Sequence, residues 1–249
     1  MPDLTTLFPA QEQQRQQALQ ELYIAGTPPE ELFDDLAALS ALIFDTSISL
    51  ISLVTREAVW FKAQAGLPGA VWLPRQDSLC SVVVLRGATT VFENLEQPPC
   101  QLVNQAVARE LQLRFYAGSP LLTRQGYAIG ALCVLDQQPR VFTTEEQLLL
   151  RQLARLVMGT IELRLVALYH PTGPPPALTS AFRYLGTTVD RIAGQLPVAG
   201  KATSDNYRLI GRILADTEQV LAGAQQTLGA PATARTALAV QHLLSARPT

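Results

Sequence analysis

The stretch from Arg114 to Asp136 does most to limit what this chain can fold into. Arg114 to Leu122 is aromatic and apolar, Arg124-Gln125-Gly126 is a polar reversal containing a glycine, and Tyr127 to Leu135 is β-prone again. Two such runs around a short glycine-bearing turn read as neighbouring strands. Upstream, Ile48–Val54 and Ala58–Ala65 read as two more strands about a turn at Thr55-Arg56-Glu57, and Thr89–Phe92 as a shorter one. Residues 66–75, with two glycines and two prolines, read as irregular.

Helical periodicity frames these strands. Gln11–Ile24 places Ala18, Leu19, Leu22 and Tyr23 on one face before Gly26-Thr27-Pro28-Pro29 ends it. Thr27 is positioned to cap the next helix, with Glu30 and Glu31 at its positive end. That helix carries Leu32, Phe33, Leu36, Leu39 and Ile43 as a core-facing stripe. Leu79–Leu85 and Gln101–Leu111 read as two shorter helices. The pattern predicts an α+β fold, an antiparallel sheet of five or six strands with flanking N- and C-terminal helices packed mainly on one face.

The helix from Thr143 to Leu168 is apolar on two sides. Thr143 or Thr144 caps it, with Glu145 and Glu146 in its first turn. Leu149, Leu153, Leu156 and Leu163 form one stripe, and Leu150, Ala154, Val157, Ile161 and Leu165 a second. One stripe can pack on the sheet. The other needs a partner, since each buried leucine is worth roughly 1.5–3 kcal/mol. A homodimer through Thr143–Leu168 would cover it, and so would the chain's own N-terminal helix or tail.

His170-Pro-Thr-Gly-Pro-Pro-Pro176 reads as a stiff linker, dividing a domain over 1–168 from an all-helical tail over 177–249. Tail helices are expected at Ala177–Gly194, Thr203–Leu228 and Ala232–Ser245, available to a signalling-protein partner. Residues 1–168 carry 12 basic and 17 acidic side chains, and residues 169–249 carry 7 and 4. This change of sign fits a domain boundary. A net charge of only −2 argues against non-specific nucleic-acid binding. The polar N-terminus lacks a secretory signal, and no apolar run is long enough to span a bilayer, so a cytoplasmic setting is expected. Cys80, Cys100 and Cys133 make an odd count without a Cys-x-x-Cys pair, and the two histidines, His170 and His242, lie outside the predicted sheet. Neither a disulfide framework nor a metal or haem site is expected, and no cofactor is implied.

The blocks Ser47–Val54, Val59-Trp-Phe-Lys62, Asp77-Ser-Leu-Cys80, Arg114–Thr123 and Ile129-Gly-Ala-Leu-Cys-Val-Leu-Asp136 follow one another in a familiar order. Over residues 12–168 the chain resembles the GAF domain subtype of bacterial signalling proteins. The resemblance implies a GAF/PAS-like sheet and a small-molecule pocket between the sheet and a covering segment at 66–111. It also implies a module that binds or couples and seldom catalyses. On it, Trp60, Lys62, Ser78, Cys80, Arg114 and Tyr116 are the candidate ligand-binding residues. Arg114 could pair an anionic group and Tyr116 stack on a ring, or Arg114 could pair Asp77 or Asp136 while the aromatics fill the core.

Cys80 is either a reactive thiol or a buried inert one, Cys133 reads as core, and Cys100 as the exposed thiol. Glu93–Gln101 departs from the subtype's Asp-x-x-Asp-Pro-Arg-Phe, which places the pocket's specificity, or its being open at all, in question. The motifs of bilin-binding, cyclic-nucleotide and methionine-sulfoxide-reducing GAF relatives do not match. No phosphate loop, nucleophile elbow or Ser/His/Asp set is present, so a non-catalytic regulatory module is expected. An interaction module with a vestigial pocket and a thiol-based redox sensor are the alternatives.

Overall fold

The computed structural model describes residues 4–97, 102, 104–170, 175–196 and 202–228. Its core element is a six-stranded sheet, antiparallel throughout, in the order β3-β2-β1-β6-β5-β4. The strands are β1 (Ile48–Val54), β2 (Ala58–Ala65), β3 (Trp72–Pro74), β4 (Thr90–Phe92), β5 (Phe115–Leu122) and β6 (Ala128–Asp136). The hairpin read from sequence is thus the β5–β6 pair, beside the central strand β1. The short edge strand β3 was expected to be irregular. Its three residues pair Trp72 with Trp60 and end at Pro74, and so short a strand between prolines carries no alternating signal.

The helices are α1 (Glu12–Glu21), α2 (Glu31–Phe44), α3 (Leu79–Arg86), α4 (Gln105–Glu110), α5 (Thr144–Tyr169), α6 (Pro176–Ala193) and α7 (Ser204–Leu228). Thr27 does not cap α2. Glu30, at φ −135°, precedes the helix without a side-chain cap, and Thr27 Oγ1 instead donates to the Ile24 carbonyl at 2.8 Å. Pro28 and Pro29 hold the entry extended and push the helix start beyond the reach of Thr27. At α5 the expected cap is present as a full capping box between Thr143 and Glu146.

Alternation along the strands divides the interior in two. Ile51, Leu53, Phe115, Ala117, Leu132 and Val134 face α2 and α5, whereas Leu50, Tyr116, Ala131, Cys133 and Leu135 face α3. The hydrophobic core on the first face runs without a break into α6 and α7, through Leu178, Leu185, Ile192, Ile210, Leu214 and Leu221. In this layer α6 packs on α2 and α7, α7 on α5, and α5 on α2. Both apolar stripes of α5 are buried, leaving Leu148 and Leu168 as its exposed large apolar residues. The stripe that called for a partner is covered by the chain's own α7, so apolar burial no longer requires a second chain there.

Two glycines bring α5 and α7 together. Gly159 faces Leu221 of α7, and Gly211 faces Gln152 and Leu149 of α5. Gln225 donates to the Gly159 carbonyl at 3.4 Å, Arg155 pairs with Glu218 at 3.2 Å, and Thr188 of α6 meets Thr217 of α7 at 3.3 Å. α6 and α7, which carry most of the described tail, therefore share the helical core of the sheet. The third tail helix expected at 232–245 lies outside the described residues. No helix among those described is long and apolar enough to cross a membrane.

Candidate functional site

The pocket lies on the α3 face. Ser78 caps α3, its Oγ accepting from the Cys80 amide at 3.2 Å, which fixes Cys80 in the first turn with its side chain toward the sheet. Cys133 lies in β6 between Leu50 of β1 and Gly118 of β5. The two sulfurs are 3.6 Å apart, and the Tyr116 hydroxyl donates to Cys80 Sγ at 3.5 Å. Gly118 makes room for that ring. A Cβ there would fall 2.4 Å from the Tyr116 oxygen, so the small residue two places along the strand is what lets the tyrosine lie over the thiols.

The sulfur pair is electrostatically uneven. A hydrogen bond from Cys133, assisted by Ser52, Tyr116 and Ser78, holds the Cys80 thiol below its usual range despite burial. Burial, reinforced by Cys80, pushes Cys133 well up. Burial likewise raises Tyr116, leaving its hydroxyl a donor.

Beside Cys80 and Tyr116 is a cavity of about 50 Å³, also lined by Phe61, Leu67, Val107 and Leu111. This is far smaller than the ~300–1,000 Å³ of an ordinary ligand pocket. Of the six candidate residues, Ser78, Cys80 and Tyr116 meet here. The other three do not.

Lys62 and Trp60 turn to the helical face. A register shift between Ile51 and Ser52 leaves Lys62 as the extra residue of a bulge in β2. Its ammonium donates to Glu30 and the Pro28 carbonyl, each at 2.6 Å, and to Thr27 at 2.9 Å, above the Phe33 ring. Arg164 of α5 reaches the same Glu30 oxygen at 2.6 Å. Lys62 is thereby committed to holding β2, α2 and α5 together. Between Trp60 and Lys62, Phe61 is the β2 residue that lines the cavity.

Arg114 stands at the mouth of β5, half exposed, 3.5 Å from Glu96. It opens on a separate surface cleft with Arg109 and Gln138. It pairs with neither Asp77 nor Asp136: Asp77 accepts from Asn104 at 2.6 Å, and Asp136 from the Ser47 amide at 3.0 Å. Cys100 lies outside the described residues.

Sequence reasoning missed the most buried charges. Arg15 and Arg75 have almost no exposed surface and grip Glu12 from two sides. Arg15 also donates to the Val54 and Ala128 carbonyls at 2.8 and 3.3 Å, and Arg75 to those of Leu7 and Thr55 at 2.9 and 3.1 Å. Burial pushes Glu12 up, but its bonds with Arg15, Arg75 and Gln16 outweigh that and hold it at about 2. This network ties α1 to one end of the sheet. The Pro74-Arg75 pair was visible in the sequence, but nothing in its setting marked the arginine as buried.

A family model described as GAF domain matches residues 28–161. The chain belongs to the GAF-domain family. The chain is 34% identical over 158 residues to a cyclic di-GMP phosphodiesterase of Pseudomonas aeruginosa, a match spanning 63% of this chain and 27% of that protein. The chain therefore spans little more than a quarter of that relative. Among solved structures it is similar to the GAF domain of an Acinetobacter phosphoenolpyruvate-protein phosphotransferase, at 21% identity and a TM-score of 0.44 over 59% of this chain and 92% of the other. A free methionine-R-sulfoxide reductase from Neisseria meningitidis is similar at 18% identity and a TM-score of 0.45, over 62% and 93%.

Proposed function

We propose that this chain is a non-catalytic regulatory GAF module of bacterial signal transduction, its input at the α3–α4 cover of the thiol-lined pocket and its output in α5 to α7. The observation that carries this is that β5 presents successive residues to the two sides. Tyr116 faces the pocket while Phe115 packs on Phe142, with ring centroids 5.5 Å apart, and lies under Arg140. Arg140 bonds Glu146 of the α5 capping box, and Tyr207 of α7 donates to the same Glu146 oxygen at 3.2 Å. A displacement of Tyr116 bears directly on Phe115 and, through it, on the joint between α5 and α7. Signalling by this route needs an occupant or modification that favours one arrangement of the pocket over another.

The small cavity favours a pocket filled by its own side chains over one that holds a nucleotide-sized ligand at rest. Such a ligand would have to displace the cover. Native mass spectrometry of the purified chain tests this. A mass equal to that of the polypeptide supports the self-filled pocket, and a stoichiometric non-covalent addition of several hundred daltons contradicts it.

A further inference from the structure

Cys80 and Cys133 are 53 residues apart in sequence, yet their sulfurs face each other at 3.6 Å with both side chains buried. The fold imposes this meeting. Cys133 is fixed on a central strand, bonded on both sides. Cys80 stands on the first turn of an eight-residue helix entered through a short 3-10 turn, Arg75–Asp77. A disulfide needs the sulfurs at about 2.05 Å, an approach that a small shift of this first turn supplies.

The surroundings suit one sulfur as nucleophile and the other as resolving thiol. Tyr116 and the helix N-terminus favour negative charge on Cys80, while Cys133, close to the Leu50 carbonyl, keeps its proton. The adjoining cavity of about 50 Å³ has room for a molecule the size of hydrogen peroxide beside Cys80.

We propose that Cys80 and Cys133 are a modification site, a dithiol oxidised to a disulfide by hydrogen peroxide inside the GAF domain. The Cys80 thiolate attacks one peroxide oxygen, the O–O bond breaks, and the departing hydroxide takes up a proton to become water. Cys133 then attacks the sulfur of the resulting sulfenic acid, the S–S bond forms and the S–O bond breaks. The Cys133 thiol proton leaves with the hydroxyl as a second water. Two thiols and one peroxide thus give one disulfide and two waters, and an external dithiol reverses the change. The new bond pins α3 to β6 and removes the sulfur that accepts from Tyr116. It needs only the thiol geometry, and it stands or falls apart from the regulatory role proposed above.

The test uses the full chain, reduced, exposed to equimolar hydrogen peroxide without denaturant, then unfolded in denaturant, alkylated and mapped by mass spectrometry without reduction. The expected result is the loss of two hydrogens in mass, a fall in alkylated thiols from all three to one, and a Cys80 peptide joined to the Cys133 peptide. The same link should form in Cys100→Ser and vanish with dithiothreitol. In Cys133→Ser, Cys80 should halt as a sulfenic acid trapped by dimedone. A link running to Cys100 would overturn the proposal, as would full alkylation of all three thiols after peroxide treatment. Wild type and Cys100→Ser decide the matter on their own if the other variants fold poorly.

Discussion

The pocket face of the sheet is covered by α3 and α4, of eight and six residues, whereas the opposite face lies under α2, α5, α6 and α7, of 14, 26, 18 and 25. Under the long helices the core is almost wholly aliphatic and aromatic, and its charged groups, Lys62 and Arg140, bond at the rim. Under the short helices two thiols and a tyrosine hydroxyl lie in the middle of the layer, beside a cavity. The apolar bulk of the fold and its sulfur and hydroxyl groups thus lie on different sides, thick and thin, of the same strands.

The largest effect is expected at the end where α1 closes both layers. Glu12→Gln leaves two buried guanidinium groups without their counter-charge and should cost about 3–5 kcal/mol in denaturant unfolding. Because the Glu12 carboxyl falls from 4.5 to about 2 on folding, its contribution is complete above pH 4.5 and disappears as the pH drops toward 2. The variant should lose that acid sensitivity. Unchanged acid sensitivity would separate α1 from the account.

Leu153→Ala, in the middle of the thick layer, should cost about 2–5 kcal/mol by the same measurement. A loss well below 1 kcal/mol would mean that Leu153 is not buried in solution. On the thin side, Gly118→Ala puts a methyl group against the Tyr116 ring and Val83 and should cost about 1–3 kcal/mol. The matching change on the thick side has the opposite sign. At Gly159 a methyl group would meet Leu221 at an ordinary 3.6 Å, so Gly159→Ala should gain about 0.5–1 kcal/mol from helix propensity. If both glycine variants shift stability the same way, the contrast between the faces fails.

The fold was legible where signals are local. The β5–β6 hairpin, the Thr143–Glu146 cap and the stripe on α2 all rest on turn chemistry and periodicity within a few residues. Of the residues read as a candidate site, Ser78, Cys80 and Tyr116 converge, while Lys62, Trp60 and Arg114 lie elsewhere. The bulge at Lys62 depends on how β2 pairs with β1, which a single strand's sequence does not reveal. The burial of Arg15 and Arg75 carried no local signal, because tertiary structure brings Arg75 to Glu12 and both arginines to carbonyls of the sheet end. Periodicity showed two apolar stripes on α5, but that α7 lies against this helix, with Gly211 beside Leu149 and Gly159 beside Leu221, is a tertiary fact that no local pattern carries.

Hydrogen exchange on Gly118→Ala, compared with wild type, tests the link between the two faces most directly. A methyl group at Gly118 would meet Tyr116 and Val83 on the pocket side. Faster exchange is expected in α3 and, in addition, in the first turn of α5 and around Tyr207 of α7, where the Phe115–Arg140–Glu146 contacts end. Faster exchange confined to α3 and its neighbours, with α5 and α7 unchanged, would contradict that link.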